Sequence, residues 1–109
     1  MEFDIQHPSD GAAVIRTIGR LNMVAAPRLR ELVAATVSEG RTRIVVDLVD
    51  TEFIDSSGLG ALIAGLKAAR TAGGDLRIAR PPLQVTTVLE LTNLNRVLRP
   101  YASVAESLA

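Results

Sequence analysis

The sequence predicts one α/β domain over residues 1–109, with a mostly parallel mixed sheet of roughly four to five strands, an N-terminal hairpin and about four helices. Two observations predict this fold. Extended apolar segments alternate with segments of helical period, and that spacing implies parallel strands joined by right-handed crossovers. The segment Ile44–Leu48 is apolar on both faces apart from Asp47, which is typical of a central strand covered on each side.

Turn residues and hydrophobic period place each element along the chain. Polar and apolar residues alternate over 2–6, and turn residues at 8–11 lead to a second extended segment, so the chain begins with a hairpin. Pro27 suits the first turn of a helix. The predicted strands are 2–6, 12–18, 44–48 and 76–79, with 98–101 as a strand or a turn. The predicted helices are 26–39, Asp55 to a stop at Gly73-Gly74, one around Val85–Leu89 that ends near a left-handed Asn93, and 103–108.

Composition excludes several classes of function. Twelve basic and twelve acidic residues cancel without forming blocks, so non-specific binding of nucleic acid is disfavoured. The absence of cysteine excludes disulfides, a thiol nucleophile and cysteine-ligated zinc. His7 stands beside Pro8 in a predicted surface turn, where we expect no chemical role. No apolar segment has the length of a signal sequence or membrane span, so we expect a cytoplasmic protein without membrane insertion.

The most informative position is the predicted junction between a strand and a helix, where Ser56 and Ser57 stand. A helix start presents unpaired N–H groups and the positive end of the helix dipole, so a phosphate on either hydroxyl would be favourably placed. N-capping is the alternative, because serine is common at that position. The glycines Gly58 and Gly60 suit tight turning and close packing of the helix on the sheet. Small residues further along that helix leave a low-relief surface, for the sheet or for another protein: Ala61, Ala64 and Gly65.

Other sites fit the sequence poorly. A dinucleotide-binding fingerprint would need a third glycine where Ile63 stands, and the chain has no Gly-Lys-Ser/Thr for a P-loop. A hydrolase would need a base for the serines, and His7 is the only histidine. A phospho-aspartate receiver would want a lysine that ends a late strand, whereas Lys67 lies inside a predicted helix. We therefore expect no catalytic or cofactor-binding residues.

Four carboxylates within a short segment raise the possibility of a cation site. Their spacing does not match an EF-hand loop, because one of them falls within a strand and two in the following connection. Solvated loop acids are the better interpretation, and we expect no metal site. The four residues are Asp47, Asp50, Glu52 and Asp55.

The segment Phe53–Gly60 carries a resemblance to a known family. With the strand residues Val45–Leu48 before it, this segment resembles the signature of the STAS domain family of anti-sigma factor antagonists. The core Asp-Ser-Ser-Gly is fairly specific when it lies between such a strand and such a helix. The resemblance extends over nearly the whole chain, including Leu62 and residues 19–22, 26–30, 68–70, 72–74 and 88–94.

The resemblance implies a function in transcription control and no enzymatic activity. It implies that the protein binds an anti-sigma factor, itself a serine kinase, and so frees a sigma factor. The phosphoacceptor of the family maps onto Ser57; phosphorylation then releases the antagonist, and a separate phosphatase restores it. The alternative is a STAS scaffold subunit of a stress-signalling or lipid-transport complex, in which the serines need not be phosphorylated. The implied partner-binding residues are Asn22, Asp55, Ser56, Ser57, Gly58, Leu59 and Gly60.

Two residues depart from the usual family pattern. Many members have Asp where this chain has Asn22, in a loop that we expect to lie near the phosphoacceptor at the carboxyl edge of the sheet. Partner choice or the rate of phosphorylation therefore depends on what Asn22 does. The usual glycine after Leu-Thr is Asn93 here, which a left-handed conformation would accommodate.

Overall fold

The sheet has six strands, five of which run side by side in the order β1-β2-β3-β5-β6 in the computed structural model, which describes all 109 residues. Strand β1 is antiparallel to β2, and the other neighbouring pairs are parallel, which confirms the N-terminal hairpin and the mostly parallel mixed sheet. The strands are β1 Glu2–Gln6, β2 Ala12–Leu21, β3 Arg43–Asp47, β4 Thr51–Ile54, β5 Asp75–Ala79 and β6 Pro100–Tyr101.

Four α-helices connect or follow the strands, as the hydrophobic period predicts. A proline lies in the first turn of the first helix, and the second helix stops before Gly73, whose φ of +88° is left-handed. Asn93 has a φ of +58°, so the left-handed conformation expected for it is confirmed. The helices are α1 Ala26–Ser38, α2 Ser56–Thr71, α3 Leu83–Leu91 and α4 Val104–Leu108, with a 3₁₀ turn at Leu94–Arg96.

Strand β4 was not predicted, because its sequence has the polarity of a connection. It pairs in parallel with the last part of β2, after a register shift between Gly19 and Arg20. Thr51 is buried, its hydroxyl donates to the carbonyl oxygen of Thr17 at 3.1 Å, and the two threonine hydroxyls also contact each other. These bonds satisfy the buried hydroxyls of Thr17 and Thr51, so the threonine that begins β4 can be buried there.

The main core lies between one face of the sheet and helices α1, α2 and α3. It contains 20 buried residues, including Leu59, Leu62 and Leu66 of the α2 stripe. A Cβ on Gly65 would lie 2.9 Å from Leu76 Cδ1, so α2 approaches the sheet closely where it has no side chain. Gly65 and Ala61 are thus buried against the core and do not form an exposed low-relief surface.

The opposite face of the sheet is covered only by α4, and it carries an ion pair between the buried carboxylate of Asp47 and the exposed guanidinium of Arg80. Asp47 is 3% exposed; its Oδ1 accepts from Arg80 Nε at 3.1 Å and from the backbone N–H of Val49 at 3.3 Å. The hydrogen bond to Asp47 raises the pKa of Arg80. The interpretation of Asp47 as a solvated acid was therefore wrong, because a strand residue can be reached by an arginine distant in sequence. Asp50 and Glu52 are exposed, as expected.

Replacement of Gly58 should strongly destabilise the fold, whereas the same change at Gly60 should not. A Cβ on Gly58 would overlap the backbone oxygen of Leu21 and lie 2.9 Å from its Cγ, and backbone cannot move aside cheaply. We expect Gly58→Ala to lower the free energy of unfolding by about 1–3 kcal/mol, measured by urea denaturation. Gly60→Ala meets only the flexible end of Arg30, at 3.3 Å, and should be neutral or stabilising. Equal losses in both variants would contradict this packing.

Candidate functional site

Two strand ends meet at the carboxyl edge of the sheet and bring distant segments together. Leu21 and Ile54 are paired in register, so the residues that follow them, Asn22 and Asp55, leave the sheet side by side. The N–H of Asp55 donates to the carbonyl oxygen of Leu21 at 3.3 Å. The loop that begins at Asn22 and the start of α2 therefore belong to the same edge, as the sequence led us to expect.

The carboxylate of Asp55 holds this junction in place. Its Oδ1 accepts from the N–H of Gly58 at 2.9 Å, which makes Asp55 the N-cap of α2. Its Oδ2 accepts from the N–H of Met23 at 3.2 Å, in the loop after β2. With both oxygens engaged by backbone donors, the carboxylate has a structural role and is not aimed at a serine hydroxyl as a base.

Neither serine caps the helix, so the N-capping hypothesis for them was wrong. Ser56 is exposed and Ser57 is half-buried, in the first two positions of α2. Neither hydroxyl forms a hydrogen bond within the chain. Their backbone N–H groups also lack acceptors, since the first bonds of the helix start at Gly58 and Leu59. Both hydroxyls are thus available at the positive end of the helix dipole.

Asn22 begins the turn that leads into α1. Its Oδ1 accepts from the N–H groups of Val24 at 3.1 Å and Ala25 at 3.2 Å, and its carbonyl oxygen accepts from Ala26 at 2.8 Å. Both side-chain bonds use an oxygen acceptor, which an aspartate would supply equally well. Asn22 in place of the more usual Asp therefore removes a negative charge and keeps the hydrogen bonds of the turn.

Two of the expected partner-binding residues do not reach the surface. Gly58 and Leu59 are buried, Leu59 with 7% of its surface exposed, and both fasten α2 to the sheet. Gly60 is half-buried, and the guanidinium of Arg30 lies beside it. Arg30 forms no ion pair. It is a free cation next to the first turns of α2.

Three exposed apolar side chains at this edge were missed by the sequence analysis. Met23 and Val24 are 69% and 76% exposed in the loop after β2, and Leu83 is 82% exposed at the start of α3. The start of α3 is fixed beside β4, because the Gln84 amide exchanges hydrogen bonds with the backbone of Ile54 at 2.9 and 3.0 Å. Met23 and Val24, just before the proline in the first turn of α1, could have been recognised in the sequence as exposed apolar residues. Leu83 could not, because its sequence context does not distinguish it from a core residue. We call Asn22, Met23, Val24, Ser56, Ser57 and Leu83 the serine surface.

Neither a metal-binding cluster nor a membrane-spanning helix is found in the structure. No group of three or more His, Cys, Asp or Glu side chains is arranged to hold a metal ion. None of the helices combines the length and the apolar character that crossing a membrane requires.

Comparison with known proteins gives the family. A protein of Thermotoga maritima, provisionally named an anti-sigma factor antagonist, is 35% identical over 72 residues, which are 66% of this chain and 64% of the relative's length. A Bordetella bronchiseptica protein of the same provisional description, BtrV, is 29% identical over 100 residues, or 92% of this chain and 85% of its own. The crystal structure of a Thermotoga maritima protein of this kind superposes with a TM-score of 0.89 at 29% identity, covering 97% of this chain and 91% of that one. Residues 5–107 match the STAS domain, and the chain belongs to the STAS domain family.

Proposed function

We propose that this protein is an anti-sigma factor antagonist controlled by phosphorylation of Ser57. In this proposal it binds an anti-sigma factor that is also a serine kinase, and so frees a sigma factor for transcription. Phosphorylation by that partner ends the interaction, and a separate phosphatase restores it. The observation that carries the proposal is the Ser57 hydroxyl, which has no hydrogen-bond partner within the chain and lies at the start of α2.

The surroundings of Ser57 support binding that a phosphate would abolish. Met23, Val24 and Leu83 are large apolar side chains whose exposure suits contact with another protein. A phosphate adds about −1.5 to −2 charges, and burial of that charge against an apolar partner surface is unfavourable. The same charge is favourable within the isolated protein, because it lies at a helix N-terminus. Binding can therefore be lost while the fold is kept.

The choice of Ser57 over Ser56 rests on the family signature alone. Gly60 lies three residues after Ser57 and four after Ser56, about one turn along α2, so it neighbours both serines on the helix surface. The unpaired guanidinium of Arg30, beside Gly60, is therefore a nearby counter-charge for a phosphate on either serine. Asp55, the carboxylate next to the serines, is held by backbone donors and is not aimed at either hydroxyl as a base.

The first prediction concerns the site of modification. Incubation with the anti-sigma factor kinase of the same organism and ATP should give one phosphate on Ser57, mapped by mass spectrometry. Ser57→Ala should abolish incorporation, whereas Ser56→Ala should retain it. Phosphate on Ser56 alone, or in the Ser57→Ala variant, would overturn the assignment. Tight binding without any phosphorylation would favour the unmodified scaffold subunit.

The second prediction separates charge at Ser57 from damage to the fold. Ser57→Asp should weaken binding to the anti-sigma factor at least tenfold, measured by calorimetry, while the melting temperature stays equal or rises. The dipole of α2 should favour the new charge by roughly 0.3–1 kcal/mol. Ser57→Asn is the matched control, with similar size and no charge, and it should bind more tightly than Ser57→Asp. Equal weakening in both variants would argue against a charge switch.

The third prediction concerns Asn22. Asn22→Asp keeps both acceptor bonds to the loop, so the free energy of unfolding should change by within about 0.5 kcal/mol. Its added charge near Ser57 should alter partner affinity or the rate of phosphorylation in a kinase assay. Asn22→Ala is the structural control and should lose about 1 kcal/mol of stability with the turn bonds. No change in binding or phosphorylation in Asn22→Asp would exclude Asn22 from the partner contact.

A further inference from the structure

Four arginines gather around a cavity near the amino-terminal end of β5, at the edge of the sheet opposite the serine surface. The cavity has a volume of about 160 Å³. The four arginines come from four segments. They are Arg70 in the last turn of α2, Arg77 in β5, Arg96 in the 3₁₀ turn and Arg99 directly before β6. We call this the arginine pocket; its polar lining is Arg70, Asp75, Arg77, Arg96, Arg99 and Tyr101.

The charges in the arginine pocket do not balance. Asp75 is its one carboxylate and is shared by Arg70 and Arg77, whose Nε atoms lie 3.2 and 3.3 Å from its two oxygens. The side chains of Arg96 and Arg99 form neither an ion pair nor a hydrogen bond within the chain. Among the side chains that line the cavity, four guanidinium groups against one carboxylate leave an excess of three positive charges, in a chain whose formal net charge is zero.

One side of the arginine pocket is held in a fixed geometry. The guanidinium of Arg77 lies 5.4 Å from the centre of the Tyr101 ring and donates to the carbonyl oxygens of Ser107 at 3.0 Å and Ala109 at 2.9 Å. Arg70 is oriented by its bond to Asp75. Arg70 and Arg77 are therefore held by their partners, whereas Arg96 and Arg99, which line the same cavity, are exposed.

We propose that the arginine pocket binds a small anion that carries two phosphoryl groups. Guanidinium groups match phosphate oxygens in pairs of parallel hydrogen bonds, and two of them here have no competing carboxylate. The cavity is smaller than the usual pocket for a drug-sized molecule, so it suits the phosphoryl groups and not a whole nucleotide. The excess of three charges is better matched by a diphosphate than by a monoanion.

The test is a titration with inorganic pyrophosphate at constant ionic strength, followed by amide chemical shifts. We expect saturable shifts at residues of the arginine pocket, and the double variant Arg96→Gln/Arg99→Gln should lose affinity at least tenfold. Arg20→Gln is the matched control, because it removes an exposed arginine that lies over Phe53 at 4.4 Å. It should bind pyrophosphate as the unchanged protein does, and Ser57→Ala should too, so this site is independent of the proposed switch.

Two further arms identify the source of the phosphoryl groups. Sodium sulfate at the same ionic strength should bind weakly, and phosphatidylcholine vesicles containing phosphatidic acid should not bind if the ligand is a free metabolite. Vesicle binding that the double variant loses would overturn the assignment to a diphosphate, because phosphatidic acid carries a single phosphoryl group. Shifts that never saturate, or that persist unchanged in a double variant whose spectrum remains folded, would overturn the proposal.

Discussion

The carboxylate of Asp55 is the interaction on which the carboxyl edge of the sheet depends. One oxygen caps α2 through Gly58, and the other fixes the loop after β2 through Met23. Because Asp55, the residue before the helix, supplies the cap, the hydroxyls of the two serines that follow form no hydrogen bond within the fold. The bond to Met23 fixes the loop that carries the two exposed apolar residues Met23 and Val24. A single side chain thus positions both the start of α2 with its two serines and the loop that carries Met23.

Close backbone packing makes that arrangement possible. The start of α2 lies directly on the carbonyl of Leu21, at a distance that only a glycine at position 58 permits. Strand β4 brings this start alongside β2, and the amide of Gln84 ties α3 to the same strand through Ile54. Three segments far apart in sequence therefore converge around Leu21, Ile54 and Gly58. Glycine at position 60 has no such constraint, although both glycines look alike in the sequence.

Local sequence signals predicted local structure. They did not predict which distant segments pair with each other. The hairpin, the stop of α2 and the left-handed Asn93 depend on nearest neighbours, so the sequence predicts them. Strand β4 depends on Thr17 for its buried threonine, and Asp47 is buried because Arg80 reaches it from β5's end. Asp55, Ser56 and Ser57 could be located by motif, but which of them caps the helix required coordinates. The arginine pocket was invisible because its members are scattered singly through the second half of the chain.

A modification of a serine hydroxyl at the serine surface need not disturb this framework, because the hydroxyls form none of the hydrogen bonds that start α2. The bonds that start α2 use the N–H groups of Gly58 and Leu59, and their acceptors belong to Asp55. A phosphate on a serine hydroxyl breaks none of these bonds, and it adds an acceptor for N–H groups that otherwise have none. The chemistry of the serines can therefore change without changing the bonds that hold α2 on the sheet. The proposed switch uses this separation, because under it the cost of the added charge would fall on the partner's surface and not on the fold.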